Sequence, residues 1–211
     1  MHTMTELLMQ HKIVAIFRNI DEQAAEAAAQ SLIDGGIRLM EVTMNTKGAT
    51  GLIHSWRGAF GEKAAIGAGT VLDVEMAKEA IAAGAQFLIS PNLDEAVISY
   101  GAERDVPVWP GVMTPTEIVK AWKAGAEAVK VFPMASLGLG YLKEIRAPLN
   151  HIPMIATGGV DLDNIRAFIE AGAVGVGMGS KLVRQDWIAN GEFDRLREQA
   201  SRYVQAIQAG A

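Results

Sequence analysis

Along the chain, short apolar or β-branched runs alternate with longer stretches in which apolar residues return every three or four positions. The short runs predict strands near Ile13–Phe17, Leu39–Thr43, Ala65–Thr70, Phe87–Ser90, Val106–Pro110, Ala128–Phe132, Met154–Thr157 and Val174–Met178. Their starts lie roughly 20–26 residues apart, enough for one strand, one helix and the loops that join them. The intervening stretches carry helix punctuation. Gly35-Gly36, Ala83-Gly84-Ala85, Ala124-Gly125-Ala126 and Ala171-Gly172-Ala173 each end a helical pattern shortly before a strand, where glycine accepts the left-handed closing conformation. Thr114-Pro115-Thr116-Glu117 reads as a capping box with proline in the first turn. Asp73, Asp94 and Asp161 stand where the next helices should begin. Glu6–His11 predicts a short additional helix over one end of the sheet. Glu192–Gln208 predicts an amphipathic last helix through Phe193, Leu196, Ala200, Tyr203, Val204 and Ile207.

Strands that alternate with helices favour a parallel sheet covered by helices. Eight such units favour closure into a compact α/β fold, the (β/α)8 TIM barrel, with a short N-terminal helix. The competing open, doubly wound sheet lacks its dinucleotide fingerprint here. No linker or low-complexity stretch interrupts the pattern, so residues 1–211 are read as a single barrel domain. Half the residues are hydrophobic and a fifth are charged, which excludes a disordered chain. The net charge is −5 and no Lys/Arg block occurs, which argues against nucleic-acid or anionic-membrane partners. The absence of cysteine removes disulfides, zinc-thiolate sites, iron–sulfur clusters and thiol nucleophiles. No leader pattern opens the chain, and no apolar run approaches the ~18 residues of a membrane span. A cytoplasmic protein is expected.

In a barrel, chemistry belongs at the C-terminal ends of the strands. Lys130 alternates with Val129 and Val131, so if the valines pack against helices the lysine points inward. Burial lowers an amine's pKa, and a neutral amine attacks carbonyls. The alternative, a solvated lysine on an edge strand, fits poorly with apolar flanks on both sides. Glu41 shares a face with Leu39 and Thr43 and points inward likewise. It reads as a general acid/base, or as the buried ion-pair partner of Lys130 or Arg18. Gly158-Gly159, after the seventh run, and Gly179-Ser180, at the end of the eighth, supply backbone amides where barrels commonly hold phosphate. Thr70 and Arg18 end their strands and could hold a carboxylate. Pro91 and Pro133 closely follow strands and would stiffen the rim. The histidines His2, His11, His54 and His151 are scattered and read as surface residues. No metal-ligand spacing occurs, so neither a metal nor another cofactor is expected.

These residues, taken in order, resemble the 2-keto-3-deoxy-6-phosphogluconate/4-hydroxy-2-oxoglutarate aldolase family. The resemblance runs from about Glu6 to about Gln208. It rests on Lys12-Ile13-Val14-Ala15-Ile16-Phe17-Arg18, Glu41-Val42-Thr43, Gly67-Ala68-Gly69-Thr70-Val71, Ile89-Ser90-Pro91, Pro110-Gly111-Val112-Met113-Thr114-Pro115-Thr116-Glu117, Lys130-Val131-Phe132-Pro133, Thr157-Gly158-Gly159-Val160 and Gly179-Ser180. It implies a class I pyruvate aldolase acting on a small 2-keto acid, usually as a homotrimer. Lys130 matches the Schiff-base lysine and Glu41 the acid/base glutamate. Arg18, Thr70, Pro91, Phe132 and Asn45 match substrate-binding positions, and Gly158, Gly159, Gly179 and Ser180 the phosphate turns. Asn45 stands where many gluconate-type members carry arginine, whereas galactonate-type members resemble this chain in having asparagine. The implied reaction releases pyruvate and glyceraldehyde 3-phosphate from the gluconate substrate or its galactonate epimer. The alternative substrate is 4-hydroxy-2-oxoglutarate, giving pyruvate and glyoxylate. Alternatives of another class are a sugar-phosphate epimerase or isomerase using Glu41 alone, and a non-catalytic phosphometabolite-binding barrel. Neither accounts for an inward lysine.

Overall fold

The computed structural model describes residues 3–208. Its strands are β1 (Ile13–Phe17), β2 (Leu39–Thr43), β3 (Ala65–Gly69), β4 (Leu88–Ile89), β5 (Val108–Trp109), β6 (Gly111–Val112), β7 (Val129–Val131), β8 (Met154–Thr157) and β9 (Gly175–Met178). All pair in parallel, in the order β5-β4-β3-β2-β1-β9-β8-β7-β6. The two ends of that order are separated in the chain by Pro110 alone. Proline has no N–H to donate, so the ladder is interrupted at this residue. Its carbonyl still accepts the Lys130 N–H at 2.8 Å. β5 and β6 are therefore two arms of one strand: the first bonds to β4 and the second to β7. This closes the expected eight-unit barrel, with the fifth strand running on to Val112 rather than stopping at Pro110.

The helices are α1 (Met4–His11), α2 (Glu22–Asp34), α3 (Ala49–Phe60), α4 (Val74–Ala82), α5 (Glu95–Ala102), α6 (Pro115–Lys123), α7 (Met134–Arg146), α8 (Ile165–Glu170), α9 (Gln185–Ala189) and α10 (Phe193–Gln208). α1 starts before Glu6 because Thr3 and Glu6 cap it reciprocally. Asp73, Asp94 and Thr114 cap α4, α5 and α6 as expected. Asp161 does not cap α8. Its carboxylate accepts the Asp163 N–H within a preceding turn, and α8 starts only after Asn164. α9 has only five residues, too few for the sequence to show a periodic pattern. Among the described residues no helix is long and apolar enough to cross a membrane.

Strand alternation divides the apolar residues into two cores. Outward residues such as Phe17, Met40, Val42, Ile66, Val129 and Val131 pack against the helices. Inward residues Val14, Leu39, Phe87, Ile89, Trp109 and Ile155 fill the lower barrel, and Leu8 of α1 forms its floor. Phe87 and Trp109 stack there at 4.8 Å between ring centroids. Phe87 fills the space left by Gly67, where a Cβ would lie 2.4 Å from the ring. This large–small fit makes the lumen a packed core below and leaves room for chemistry only above.

Removing the Phe87 ring should leave a cavity that neither strand can close. Phe87→Ala is expected to cost about 3–5 kcal/mol in urea unfolding, and Phe87→Leu distinctly less. Equal costs would contradict this packing.

Candidate active site

Because every strand runs the same way, the segments that follow them gather on one face. Arg18 follows β1, Asn45 lies two residues past β2, Thr70 follows β3, Pro91 lies two residues past β4, and Phe132 follows β7. Gly158-Gly159 follow β8, and Gly179-Ser180 follow β9. Lys130 and Glu41 lie within β7 and β2. The structure thus places every candidate site residue in or around the upper mouth of the barrel.

The lysine and the glutamate are the buried charges of this mouth. Lys130 is 6% exposed and Glu41 1%. In the strand register Glu41 lies level with Ile16 of β1 and Gly67 of β3, and Lys130 with Gly111 of β6 and Ile155 of β8. Burial disfavours both charged forms. It holds the Lys130 amine below the usual lysine range, opposed by the negative charge of Glu41 and assisted by the positive charge of Arg18. It raises the Glu41 carboxyl, opposed by the charges of Lys130 and then Arg18. Each group is pushed towards neutrality by the wall around it. Glu41 Oε2 is buried and has no hydrogen-bond partner among the described residues, a costly arrangement that leaves an acceptor free for a proton or a water. Glycine makes room for the carboxyl: a Cβ at Gly69 would lie 2.4 Å from Glu41 Oε1. The Lys130 Nζ lies 5.0 Å from the centre of the Phe132 ring, which forms one side of its pocket.

Around this pair the rim is polar. Thr70 takes the left-handed conformation, φ 58°, which costs a β-branched residue on the order of 1–3 kcal/mol. The Arg18 Nη2 lies 3.4 Å from the Thr70 hydroxyl. Ser90 shapes the Pro91 turn by donating its hydroxyl to the Asn92 carbonyl at 2.7 Å. Pro91 in turn lies over Gly111, where a Cβ would be 2.2 Å from the Pro91 carbonyl carbon. Asn45 is exposed at the tip of a turn closed by the Thr46 N–H donating to the Thr43 carbonyl at 2.8 Å.

Two glycine turns flank this mouth. Gly158 and Gly159 are both left-handed, φ 95° and 73°. The second is pressed against Ala135, whose Cα would lie 2.9 Å from an added Cβ. Asn164 holds the turn from behind by donating Nδ2 to the Gly159 carbonyl at 2.8 Å. Gly179 and Ser180 line a cavity of about 390 Å³ together with Ile16, Arg18, Asn19, Val183 and Gln185. Arg18 therefore borders both Thr70 and the second glycine turn.

Three polar residues of this face escaped sequence reading. Thr157 is 5% exposed on the inner face of β8, and its Oγ1 fills the space left by Gly177, 2.5 Å from an added Cβ. Its inward position is legible from the alternation with Ile155. Thr46 and Gln185 lie in loops and helix starts without a periodic signal. Of the histidines, His54 and His151 are exposed, His11 is partly buried, and His2 lies outside the described residues. Among the described residues no three His, Asp or Glu side chains gather into a group able to hold a metal ion.

The electrostatics can be tested on the resting protein. The Lys130 amine, followed by NMR titration of selectively labelled protein, should titrate below the ~10.4 of an exposed lysine. Arg18→Gln removes a neighbouring positive charge, so the midpoint should move up. A midpoint at the ordinary value in both proteins would contradict the burial argument.

A sequence model described as KDPG and KHG aldolase matches residues 4–199. The chain is 36% identical to the 2-dehydro-3-deoxy-6-phosphogalactonate aldolase of Escherichia coli over 197 residues, covering 93% of this chain and 94% of that one. It is 33% identical to the 2-dehydro-3-deoxy-phosphogluconate aldolase of Treponema pallidum, covering 98% and 99%. A crystal structure of KDPG aldolase from Legionella pneumophila, with pyruvate captured at low pH as a covalent carbinolamine intermediate, superposes with a TM-score of 0.86 at 27% identity. That match covers 94% of this chain and 97% of the other. A full-length match of this kind, on a closed barrel with an inward lysine and glutamate, places the chain in the KDPG and KHG aldolase family, whose members are carbon–carbon lyases.

Proposed function

We propose that this chain cleaves a 2-keto-3-deoxy-6-phosphoaldonate to pyruvate and glyceraldehyde 3-phosphate through a Schiff base on Lys130. The observation that carries the reading is the pairing of a buried amine held below its usual pKa with a buried carboxyl held above its own, on the inner wall of one barrel mouth.

The steps follow from those two states. The neutral Lys130 Nζ adds to the C2 ketone, the protonated Glu41 carboxyl gives its proton to the departing hydroxyl, and loss of water leaves an iminium and a Glu41 carboxylate. Glu41, directly or through a water, takes the proton of the C4 hydroxyl. The C3–C4 bond breaks, its electron pair passes into the iminium to form an enamine, and C4 leaves as an aldehyde. The proton held on Glu41 passes to C3, and water hydrolyses the iminium to pyruvate and free amine, the released proton returning to Glu41. The raised carboxyl pKa suits Glu41 to hold a proton between the two transfers. In this reading Thr70 and Arg18 hold the substrate carboxylate, and Phe132 and Pro91 flank the keto acid. The amides of Gly158, Gly159 and Gly179, with the Ser180 hydroxyl, take the phosphate. Asn45, neutral where many gluconate-type members have arginine, puts the galactonate epimer first. The homotrimer usual in the family belongs to the same reading and is checked by analytical ultracentrifugation.

Lys130→Met should abolish cleavage while leaving the fold intact, and Glu41→Gln should lower kcat by about 10²–10⁴-fold. Turnover by the Lys130 variant would instead favour an epimerase or isomerase that uses Glu41 alone. Comparing kcat/KM for the two phosphorylated epimers and for 4-hydroxy-2-oxoglutarate tests the substrate. A strong preference for the unphosphorylated acid would reduce the glycine turns to structural features and favour the aldolase that releases glyoxylate.

A further inference from the structure

The Arg18 side chain is exposed and, among the described residues, has a single hydrogen bond, at 3.4 Å to Thr70. Among the described residues no carboxylate forms an ion pair with it, although its charge reaches the Glu41 carboxyl. Its backbone, in contrast, is held from both sides by side chains remote in sequence. The next residue, Asn19, is left-handed with φ 51°, and its N–H donates to the Thr46 hydroxyl at 2.9 Å. The Thr46 and Thr43 hydroxyls lie 3.0 Å apart. Thr43 is 0% exposed and Thr46 4%. A hydroxyl has one donor and can accept. Thr46 Oγ1 therefore accepts from Asn19 and shares one further bond with Thr43. On the other side, the Gln185 Nε2 donates to the Arg18 carbonyl at 3.0 Å. Gln185 is the first residue of α9, which is itself fixed: Trp187 carries the guanidiniums of Arg184 and Arg195 against its ring at 4.6 and 4.3 Å.

We propose that Thr46 and Gln185 are positioning residues that hold the Arg18–Asn19 turn so that the Arg18 guanidinium meets the substrate anion at the mouth of the barrel. Thr46 does this from within the turn presenting Asn45, which its backbone N–H closes on Thr43 and its hydroxyl braces against the Thr43 hydroxyl, so one residue sets two rim residues in register. The β1 and β2 loops are thereby coupled. A loop carrying one exposed arginine would otherwise sample many orientations, and each productive encounter would cost the entropy of ordering it. The proposal rests on the reading of Arg18 as a substrate-binding residue.

The test is steady-state cleavage of 2-keto-3-deoxy-6-phosphogalactonate, or of the gluconate epimer if that is the better substrate, by Thr46→Val, Thr46→Ser, Gln185→Leu, Arg18→Gln and the double variant Thr46→Val/Arg18→Gln. Thr46→Val and Gln185→Leu should each raise KM by about three- to tenfold with kcat within about twofold, the signature of lost uniform binding. Thr46→Ser should restore the parent KM. Once Arg18 is gone, Thr46→Val should add no further KM loss, because residues acting through one another are non-additive. Gln185 is exposed and its variant does not depend on the buried pair, so it carries the test if Thr46→Val folds poorly. Parent-like KM in Gln185→Leu, or additive losses in the double variant, would overturn the proposal. A parent-like Arg18→Gln would overturn the reading of Arg18 beneath it, an outcome distinguishable because it needs no Thr46 or Gln185 variant.

Discussion

An amine and a carboxyl removed from water on the inside of one barrel are the costly feature of this protein. An unpaired buried charge costs several kcal/mol, so each group shifts towards its neutral form. Both shifts are what imine chemistry needs: a lysine that can attack and a glutamate that can hold a proton. They also constrain everything around them. Gly69 is required beside the Glu41 carboxyl, and Phe132 forms one side of the lysine's pocket. The wall must stay dry enough to sustain both shifts and, on the function proposed above, open enough to admit a keto acid.

The barrel meets this demand by dividing its interior. Below, Phe87, Trp109, Leu39 and Ile155 close on the Leu8 floor as an apolar core. Above, glycines on β3 and β9 leave space that Glu41 and Thr157 fill with polar atoms. Closure at Pro110 brings the two halves together: its carbonyl accepts the Lys130 N–H, so the residue that interrupts the sheet also fixes the backbone of the buried lysine. Stability and chemistry thus occupy different layers of one lumen, supported by a separate core between sheet and helices.

Much of this was legible in the sequence because strand period is strict. A lysine between two valines and a glutamate between a methionine and a valine can share a wall only by pointing away from the helices, and both do. The repeat of strand and helix made the barrel legible, and Gly158-Gly159 and Gly179-Ser180 past strand ends marked the turns there. The unread parts depend on contacts that close only in three dimensions. Thr46 meets Asn19 across 27 positions and Gln185 meets Arg18 across 167. α9 is tied down by buried Ile188 and by arginines stacked on Trp187, contacts too few in five residues to show as a periodic stripe. The fifth strand outran its reading because a proline that ends most strands lies here at the seam of the barrel, bonding through its carbonyl alone.

The central claim is that the Lys130 amine forms an imine with the keto acid. Incubating the folded protein with pyruvate and borohydride, then mapping peptides by mass, tests it directly. The account predicts a reduced pyruvate adduct on Lys130. Folded protein that gains no adduct in ample pyruvate, or gains it on another lysine, would contradict the account.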